Sequence, residues 1–314
     1  MNGYDRLKAF IEKHDTITIF SHIYPDGDAI GSLIGLRELI LENYPHKKVY
    51  ALGSNIKPHV DIVGPTDEVT DDVIKNSAAI VVDIANSARV EDQRFKLAKG
   101  SFKVDHHIFA EKFTDDEIVD TTKIATCEML GEFAQLAKLK VNKLAATALL
   151  LGIITDSGRF FYDATSALTF SVSAFLLENG ADFLKINEHL GKRRLGSLKE
   201  RGYIMYNYKT YENIIYIFVD YKQLLALGLA ASDGTNFVNT YRSIDEFPIW
   251  VTFFEDKDGR VFTELRSAKY NVQQVAKQFG GGGHVKASGC RLASQAMIND
   301  VLVALTNAEE LSDV

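Results

Sequence analysis

The sequence predicts an α/β protein, a doubly wound parallel sheet followed by a smaller α+β domain. Three observations lead there. Short runs of β-branched and aromatic residues alternate with helical patterns through the first half of the chain. Those runs are apolar almost without interruption, as strands covered on both faces are. A basic, glycine-flanked stretch at 191–197 then separates this region from one in which strands follow one another closely. The 314 residues exceed one compact domain. The expected division is 1–190 for the first domain, 191–205 for a linker and 206–314 for the second domain.

Taken in order, residues 1–13 set Tyr4, Leu7, Phe10 and Ile11 among charged neighbours and read as an amphipathic helix. Thr16–Phe20 is the first strand, and Ile30, Leu33, Ile34, Leu36, Leu39 and Ile40 give 30–41 helical spacing. Lys48–Leu52, Ala78–Val82 and 101–104 are further strands. An apolar helix pattern from Val141 ends at Asp156, and another covers 168–177 before Asn179 and Gly180, a C-cap pair. The second domain is expected to hold strands at Ile214–Val219, 249–254 and 261–265. A helix at 272–279 should end in the glycines at 280–283, and a final helix should run over 295–311.

Composition narrows the function classes. Acidic residues outnumber basic ones, 42 to 35, for a formal charge of -7, which argues against a broad electrostatic footprint on long duplex DNA. Cys127 and Cys290 form neither a disulfide framework nor a zinc pair, so a reducing cytoplasm is expected. The longest apolar stretch, 144–154, is about half the roughly twenty residues that span a bilayer, and no membrane association is expected.

The chemistry lies at the strand ends. In open parallel sheets ligands sit outside the carboxyl edge. Here the first strand runs into His22, Asp26 and Asp28, the third into Asp83, and the fourth into Asp105, His106 and His107. Asp156 closes the apolar helix. Each feature alone has a bland reading, since Pro-Asp-Gly-Asp is ordinarily a turn and a strand-end aspartate ordinarily a helix cap. Their conjunction reads as a metal centre. Hard carboxylate and imidazole donors without thiolate favour manganese or magnesium over zinc. His22, Asp26, Asp28, Asp83, His106 and Asp156 suffice for two ions if one carboxylate bridges, a pairing suited to phosphoryl hydrolysis. Asp105 and His107 would then support the ligands or touch the substrate.

These segments resemble the four motifs of the DHH phosphoesterase superfamily: His22-x-x-Pro25-Asp26-Gly27-Asp28-Ala29-x-Gly31-Ser32, the Asp83 segment, Asp105-His106-His107, and Thr155-Asp156-Ser157-Gly158-Arg159-Phe160. Residues 279–289, with four glycines before His284, Lys286 and Gly289, resemble the signature of its DHHA1 C-terminal domain. The stretch 108–113 departs from the pattern in lacking an asparagine after the histidines. Size and the Gly-Arg-Phe after Asp156 are most similar to the nano-RNase A group, bifunctional oligoribonucleases and 3′,5′-adenosine bisphosphate (pAp) phosphatases. The resemblance implies that His22, Asp26 and Asp83 hold one manganese and Asp28, Asp83, His106 and Asp156 the other, with Asp83 bridging. It also implies an active site in the cleft between the domains.

For the substrate, the glycines Gly281, Gly282 and Gly283 expose backbone N–H groups that can fold around an anionic oxygen, with His284 and Lys286 adjacent. A hinge or helix cap is the alternative. Arg266 and Ser267 close a strand beside this segment, and an arginine fork suits phosphate; spacing alone leaves Arg266 equally a solvated strand end, and the resemblance favours the phosphate contact. Arg159 and, second to it, Arg89 are candidates to reach the scissile phosphate. Phe160, Phe161 and Tyr162 offer rings that could stack a base, although most aromatic residues belong in a core.

The expected function is a manganese-dependent phosphoesterase, with magnesium or cobalt as substitute ions. Its partners would be short RNA oligonucleotides, pAp and linear dinucleotides such as pApA, with catalysis by Asp83, Asp105, His107 and Arg159. The oligomeric state stays open, a homodimer included. Competing readings are an inorganic pyrophosphatase or exopolyphosphatase, and a catalytically silent nucleotide-binding module.

Overall fold

The computed structural model describes residues 2–57, 59–192 and 195–311. The chain divides into two compact units, 1–192 and 193–314. In the first unit five strands, β1 (Thr16–Phe20), β2 (Lys48–Leu52), β3 (Ala78–Val82), β4 (Ser101–Asp105) and β5 (Asp116–Val119), form a wholly parallel sheet in the order β2-β1-β3-β4-β5. Its helices are α1 (Gly3–Lys13), α2 (Gly27–Asn43), α3 (His59–Val63), α4 (Asp71–Lys75), α5 (Thr126–Leu136), α6 (Lys143–Asp156), α7 (Ala167–Glu178) and α8 (Phe183–Gly191).

Alternation along the strands explains why they read as unbroken apolar runs. Ile80 and Val82 of β3 enter one core cluster with Ile17, Ile19, Phe102 and Val104, while Ala79 and Val81 enter another with Phe20, Leu52 and Phe95. Both faces are buried, as a parallel sheet requires. The direction in which successive strands are added reverses between β1 and β3, since β2 lies outside β1 on one side and β4 outside β3 on the other. That reversal is the topological switch point, where the crossovers part and leave a crevice at the carboxyl edge.

Two helices are locked together behind that edge. Gly27, Gly31 and Gly35 recur every four residues on α2 and face α6; a Cβ on Gly31 would stand 2.4 Å from the Ala148 carbonyl oxygen and 2.9 Å from Cys127 Sγ. The apolar segment of α6 is buried from Ala145 to Ile154. Backbones this close bring the start of α2, bearing Asp26 and Asp28, against the end of α6, bearing Asp156.

The second unit carries α9 (Leu195–Tyr206), α10 (Tyr221–Leu227), α11 (Gly234–Phe237), α12 (Val272–Gln278) and α13 (Ile298–Thr306). Its six strands are β6 (Lys209–Tyr211), β7 (Ile214–Val219), β8 (Ile249–Glu255), β9 (Val261–Ser267), β10 (Gly282–His284) and β11 (Ala287–Leu292), ordered β10-β11-β9-β8-β7-β6; β7 and β8 run parallel and all other neighbours antiparallel. Within the stretch expected as linker, Arg193 and Arg194 lie outside the described residues and Leu195–Tyr206 is helical. The terminal helix is shorter than the expected 295–311. A 3-10 turn at Gln295–Met297 precedes it and Asn307 ends it, after which Glu309 accepts from the Asn271 N–H and Leu311 donates to the Lys269 carbonyl. Backbone pairing outside the helix captures the tail. No helix among the described residues is long and apolar enough to cross a membrane.

Candidate metal centre

β1, β3 and β4 deliver their donors at the same edge. His22 follows β1, where its backbone bridges to Val90. Its Nδ1 lies 2.9 Å from the Ile23 carbonyl oxygen, so Nδ1 carries the proton and Nε2 faces the carboxylates, 3.5 Å from Asp83 Oδ2 and 3.8 Å from Asp26 Oδ1. His106 repeats the device. Its Nδ1 donates to the Lys123 carbonyl at 3.2 Å, which turns Nε2 toward Asp83 Oδ1 (3.5 Å), Asp156 Oδ2 (3.5 Å) and Asp28 Oδ2 (3.9 Å). A carbonyl that fixes the tautomer and ring angle is the usual second partner of a metal-ligating histidine.

The carboxylates are held with equal definition. Asp26 caps α2, accepting the Asp28 and Ala29 N–H groups at 3.1 Å each. Asp28 is fully buried and accepts from the Thr126 and Cys127 N–H groups at 2.7 and 2.9 Å, the start of α5, whose positive end favours an anion. The missing side chain of Gly152 makes room for it, since a Cβ there would lie 2.6 Å from Asp28 Oδ1. Asp83 leaves β3 with a left-handed backbone, φ +60°, and accepts from Thr126 Oγ1 at 3.2 Å. A non-glycine residue in that region stores strain, and such strain concentrates at functional sites.

Three sets of donor atoms each lie within 4.8 Å: His22, Asp26 and Asp83; Asp28, His106 and Asp156; and Asp83, His106 and His107. Every one of the six sequence-proposed ligands is in this cluster. The residues fit a divalent cation by two further signs. The His106 Nε2 is buried with no hydrogen-bond partner, a vacancy costly to a polar atom unless a cation fills it. Like charge is also crowded. Burial, then Asp83 and Asp156, push the Asp28 pKa well up, and burial, then Asp83 and Asp26, push Asp156 up to about 8. On the other side burial opposes the charged His22, but Asp26 and Asp83 outweigh it and raise its pKa to about 10. Burial likewise opposes the Asp26 carboxylate, but His22 and the α2 amides hold it down at about 2. A site that attracts a proton so strongly attracts a cation for the same electrostatic reason.

His107 is differently placed. Its Nδ1 is 2.8 Å from Asp105 Oδ1, which also accepts the His107 backbone N–H at 3.2 Å. That bond, against the opposing effect of burial, raises the His107 pKa. Asp105 is buried, and burial pushes its pKa up less than His107 pulls it down.

The remaining candidates divide. Arg89 is exposed, and its carbonyl accepts from the Ile23 N–H at 2.9 Å, which puts it on the segment that clamps the His22 loop. Arg159 is exposed with φ +61°, three residues beyond Asp156. Phe160 stacks on Phe170, ring centroids 5.1 Å apart, and so packs rather than presents its face. In the second unit, register aligns His284, Ala287 and Arg266 across β10, β11 and β9, so His284 and Arg266 share a sheet face. Arg266 Nη1 donates to Glu264 Oε2 at 3.1 Å. Ser267 is buried, accepting from the Tyr270 N–H and donating to its carbonyl, a turn role. The second half of the glycine run, Gly282 and Gly283, is the start of β10 rather than an open loop, and the Gly281 N–H before it donates to the Ala276 carbonyl. Gly281 is required by close approach, as a Cβ would meet the Gly289 carbonyl oxygen. Gly282 and Gly283 pair with Gly289 and Ser288. His284 and Lys286 are exposed beside them.

Thr126, the Ile23 carbonyl and the Lys123 carbonyl escaped sequence reasoning. They act through backbone groups or a lone hydroxyl at a helix start, for which spacing gives no signal.

Similarity to known proteins agrees with this geometry. The model of the DHH family, N-terminal domain, matches residues 16–153, and that of the DHHA1 domain matches 213–310. The Mycoplasma pneumoniae protein named bifunctional oligoribonuclease and PAP phosphatase NrnA is 36% identical over 91% of this chain and 90% of its own length. The Bacillus subtilis protein of the same name is 31% identical over 94% and 95%. A solved structure titled as an exopolyphosphatase-related protein from Bacteroides fragilis has a TM-score of 0.83 over 97% of this chain and 96% of that one, at 23% identity, and shares the fold. By motif, fold and similarity along nearly its whole length, the chain belongs to the DHH family of phosphoesterases, in the DHHA1-bearing group whose members are named bifunctional oligoribonucleases and PAP phosphatases.

Proposed function

We propose that this phosphoesterase hydrolyses very short oligoribonucleotides, including pApA-type dinucleotides, and removes phosphate from pAp, using two divalent cations with manganese preferred. The observation that carries the reading is the sharing of Asp83 between two donor sets, with the His106 Nε2 buried and unpartnered beside it. His22, Asp26 and Asp83 would hold one ion and Asp28, Asp83, His106 and Asp156 the other. When bound, such a pair supplies charge neutralisation at the phosphoryl oxygens and acidifies a water.

The residues of the chain do the rest. Asp105 fixes the His107 tautomer through Nδ1 and stabilises its charged form, leaving Nε2 to donate a proton to the leaving oxygen. Thr126 and the α5 amides hold Asp83 and Asp28 in place, so ligand geometry does not relax as charge develops. Arg159 is suited to the transferring phosphoryl group, with Arg89 as a second contact. Arg266, with Ser267 supporting its strand end, and His284, Lys286 and the edge-strand glycines Gly282 and Gly283 are suited to a phosphate or sugar oxygen, whereas the Gly281 N–H is taken by the Ala276 carbonyl.

Turnover of pAp, pApA, graded RNA lengths and pyrophosphate, each with manganese and with chelator, tests the reading. Manganese-dependent release from pAp and pApA is expected, with pyrophosphate idle; preference for pyrophosphate overturns it. Asp83→Ala should cut kcat by more than about a hundredfold. Arg266→Ala should instead raise KM by about 10- to 100-fold, the worth of a charge-assisted contact.

A further inference from the structure

The loop from β1 to α2 contains a residue that neither the donor cluster nor the core explains. Tyr24 sits between His22 and Asp26 with a left-handed backbone, φ +55°, and with 83% of its surface exposed. Glycine and asparagine tolerate that region; a bulky ring there is an outlier. The cause is local. On one side the His22–Val90 bridge and the Ile23 N–H bond to the Arg89 carbonyl fix the chain, and on the other Asp26 caps α2. Pro25 disfavours the right-handed helical region for its predecessor and would by itself favour extended backbone, so the left-handed angle at Tyr24 is imposed by the anchors on either side.

The tyrosine side chain makes no hydrogen bond or ring contact among the described residues. Some neighbouring rings already pack against other groups, while Phe161 and Tyr162, the other rings offered for stacking, are exposed after Asp156. Phe109 and Phe113 lie over the buried Lys103 ammonium at 5.5 and 5.1 Å, and Phe160 stacks on Phe170. Two residues of chain reach at most about 7 Å, so the Tyr24 backbone stays within that radius of both His22 and Asp26. A base joined through one ribose to a phosphate at the cluster falls within reach of the same ring.

We infer that Tyr24 is a stacking platform for the base of the nucleotide whose phosphate occupies the cluster, and that it makes this enzyme prefer base-bearing phosphoesters over base-free ones. The inference rests on the oligoribonucleotide reading above. It adds a residue that sets specificity, separate from those that set rate.

The experiment compares pApA with its analogue lacking one base, for the wild type, Tyr24→Gly and Tyr24→Phe in the manganese-loaded full chain. Tyr24→Gly removes the ring and accepts the backbone angle, so its melting temperature should equal or exceed that of the wild type. Its KM for pApA should rise about tenfold, a typical stacking loss, and the KM ratio between the abasic and natural substrates should fall toward one. Tyr24→Phe should keep the wild-type ratio. Should the ratio survive Tyr24→Gly while the wild type is active, the stacking role is wrong and the oligoribonuclease reading stands. A wild type idle on both substrates sinks that reading and this inference together.

Discussion

Ionising Asp156 in the demetallated protein is uphill, because burial, Asp83 and Asp26 together lift its pKa to about 8. The unfolded side chain ionises near pH 4. Between those values the folded state holds the extra proton, so Asp156 should lower the stability of the metal-free protein as pH rises from about 4 to 8, and His22, raised to about 10, should continue the fall up to about pH 10. Asp28 shifts in the same direction and adds to the slope. Asp156→Asn should therefore stabilise the chelated protein by about 1–2 kcal/mol at pH 8 and by much less at pH 4.5, while weakening manganese binding. Calorimetric melting with and without chelator checks both signs; a destabilised apo variant at pH 8 would show that the carboxylates do not repel one another as argued. At this scale the ligands were legible in the sequence because strand ends fix where side chains emerge. Thr126 was not, because its contribution to Asp28 is a backbone N–H that any residue carries.

Helix α2 shows how an element can be readable in pattern and opaque in purpose. Its apolar spacing predicts the helix, but Gly31 and Gly35 weaken that signal in isolation and make sense only once α6 lies against them. Gly31→Ala should cost about 1–3 kcal/mol, since the clash is with the rigid Ala148 carbonyl, and should lower manganese affinity by shifting Asp28 relative to Asp156. Gly202→Ala on α9 is the matched control. Its Cβ would meet nothing within 4 Å, so the better helix former should leave stability equal or higher. Strands β1 to β4 were legible for a related reason, being apolar on both faces. Strands β5, β6, β10 and β11 were not. Asp116–Val119 is an edge strand, and Gly282–His284 is glycine-rich, so pairing with a neighbour rather than propensity makes each a strand. The same pairing changes the meaning of the glycine run, which the sequence offers as an open phosphate loop.

Over the whole molecule the formal charge is -7, and the donor cluster concentrates Asp26, Asp28, Asp83 and Asp156 in one place. Above about pH 8, where Asp156 ionises in the metal-free cluster, an approaching phosphate meets like charge in a partly buried setting, where repulsion is screened little. Cation loading should therefore precede substrate capture at that pH, and the chelated protein should give no calorimetric binding signal with pApA at about pH 8.5. The same charge balance limits substrate length. A nuclease that tracks long strands neutralises many phosphates, and its affinity drops steeply with salt, by a logarithmic slope of about 0.7 per phosphate contacted on a single strand. If the proposed cations and Arg266 are the phosphate contacts, one or two phosphates are held, so log KM for short RNA should rise with log salt at a slope of about 0.7–1.4 and should not steepen as the RNA lengthens. A slope that grows with each added nucleotide would mean that an extended basic track exists and that the enzyme holds long strands, against the distribution of charge in this chain.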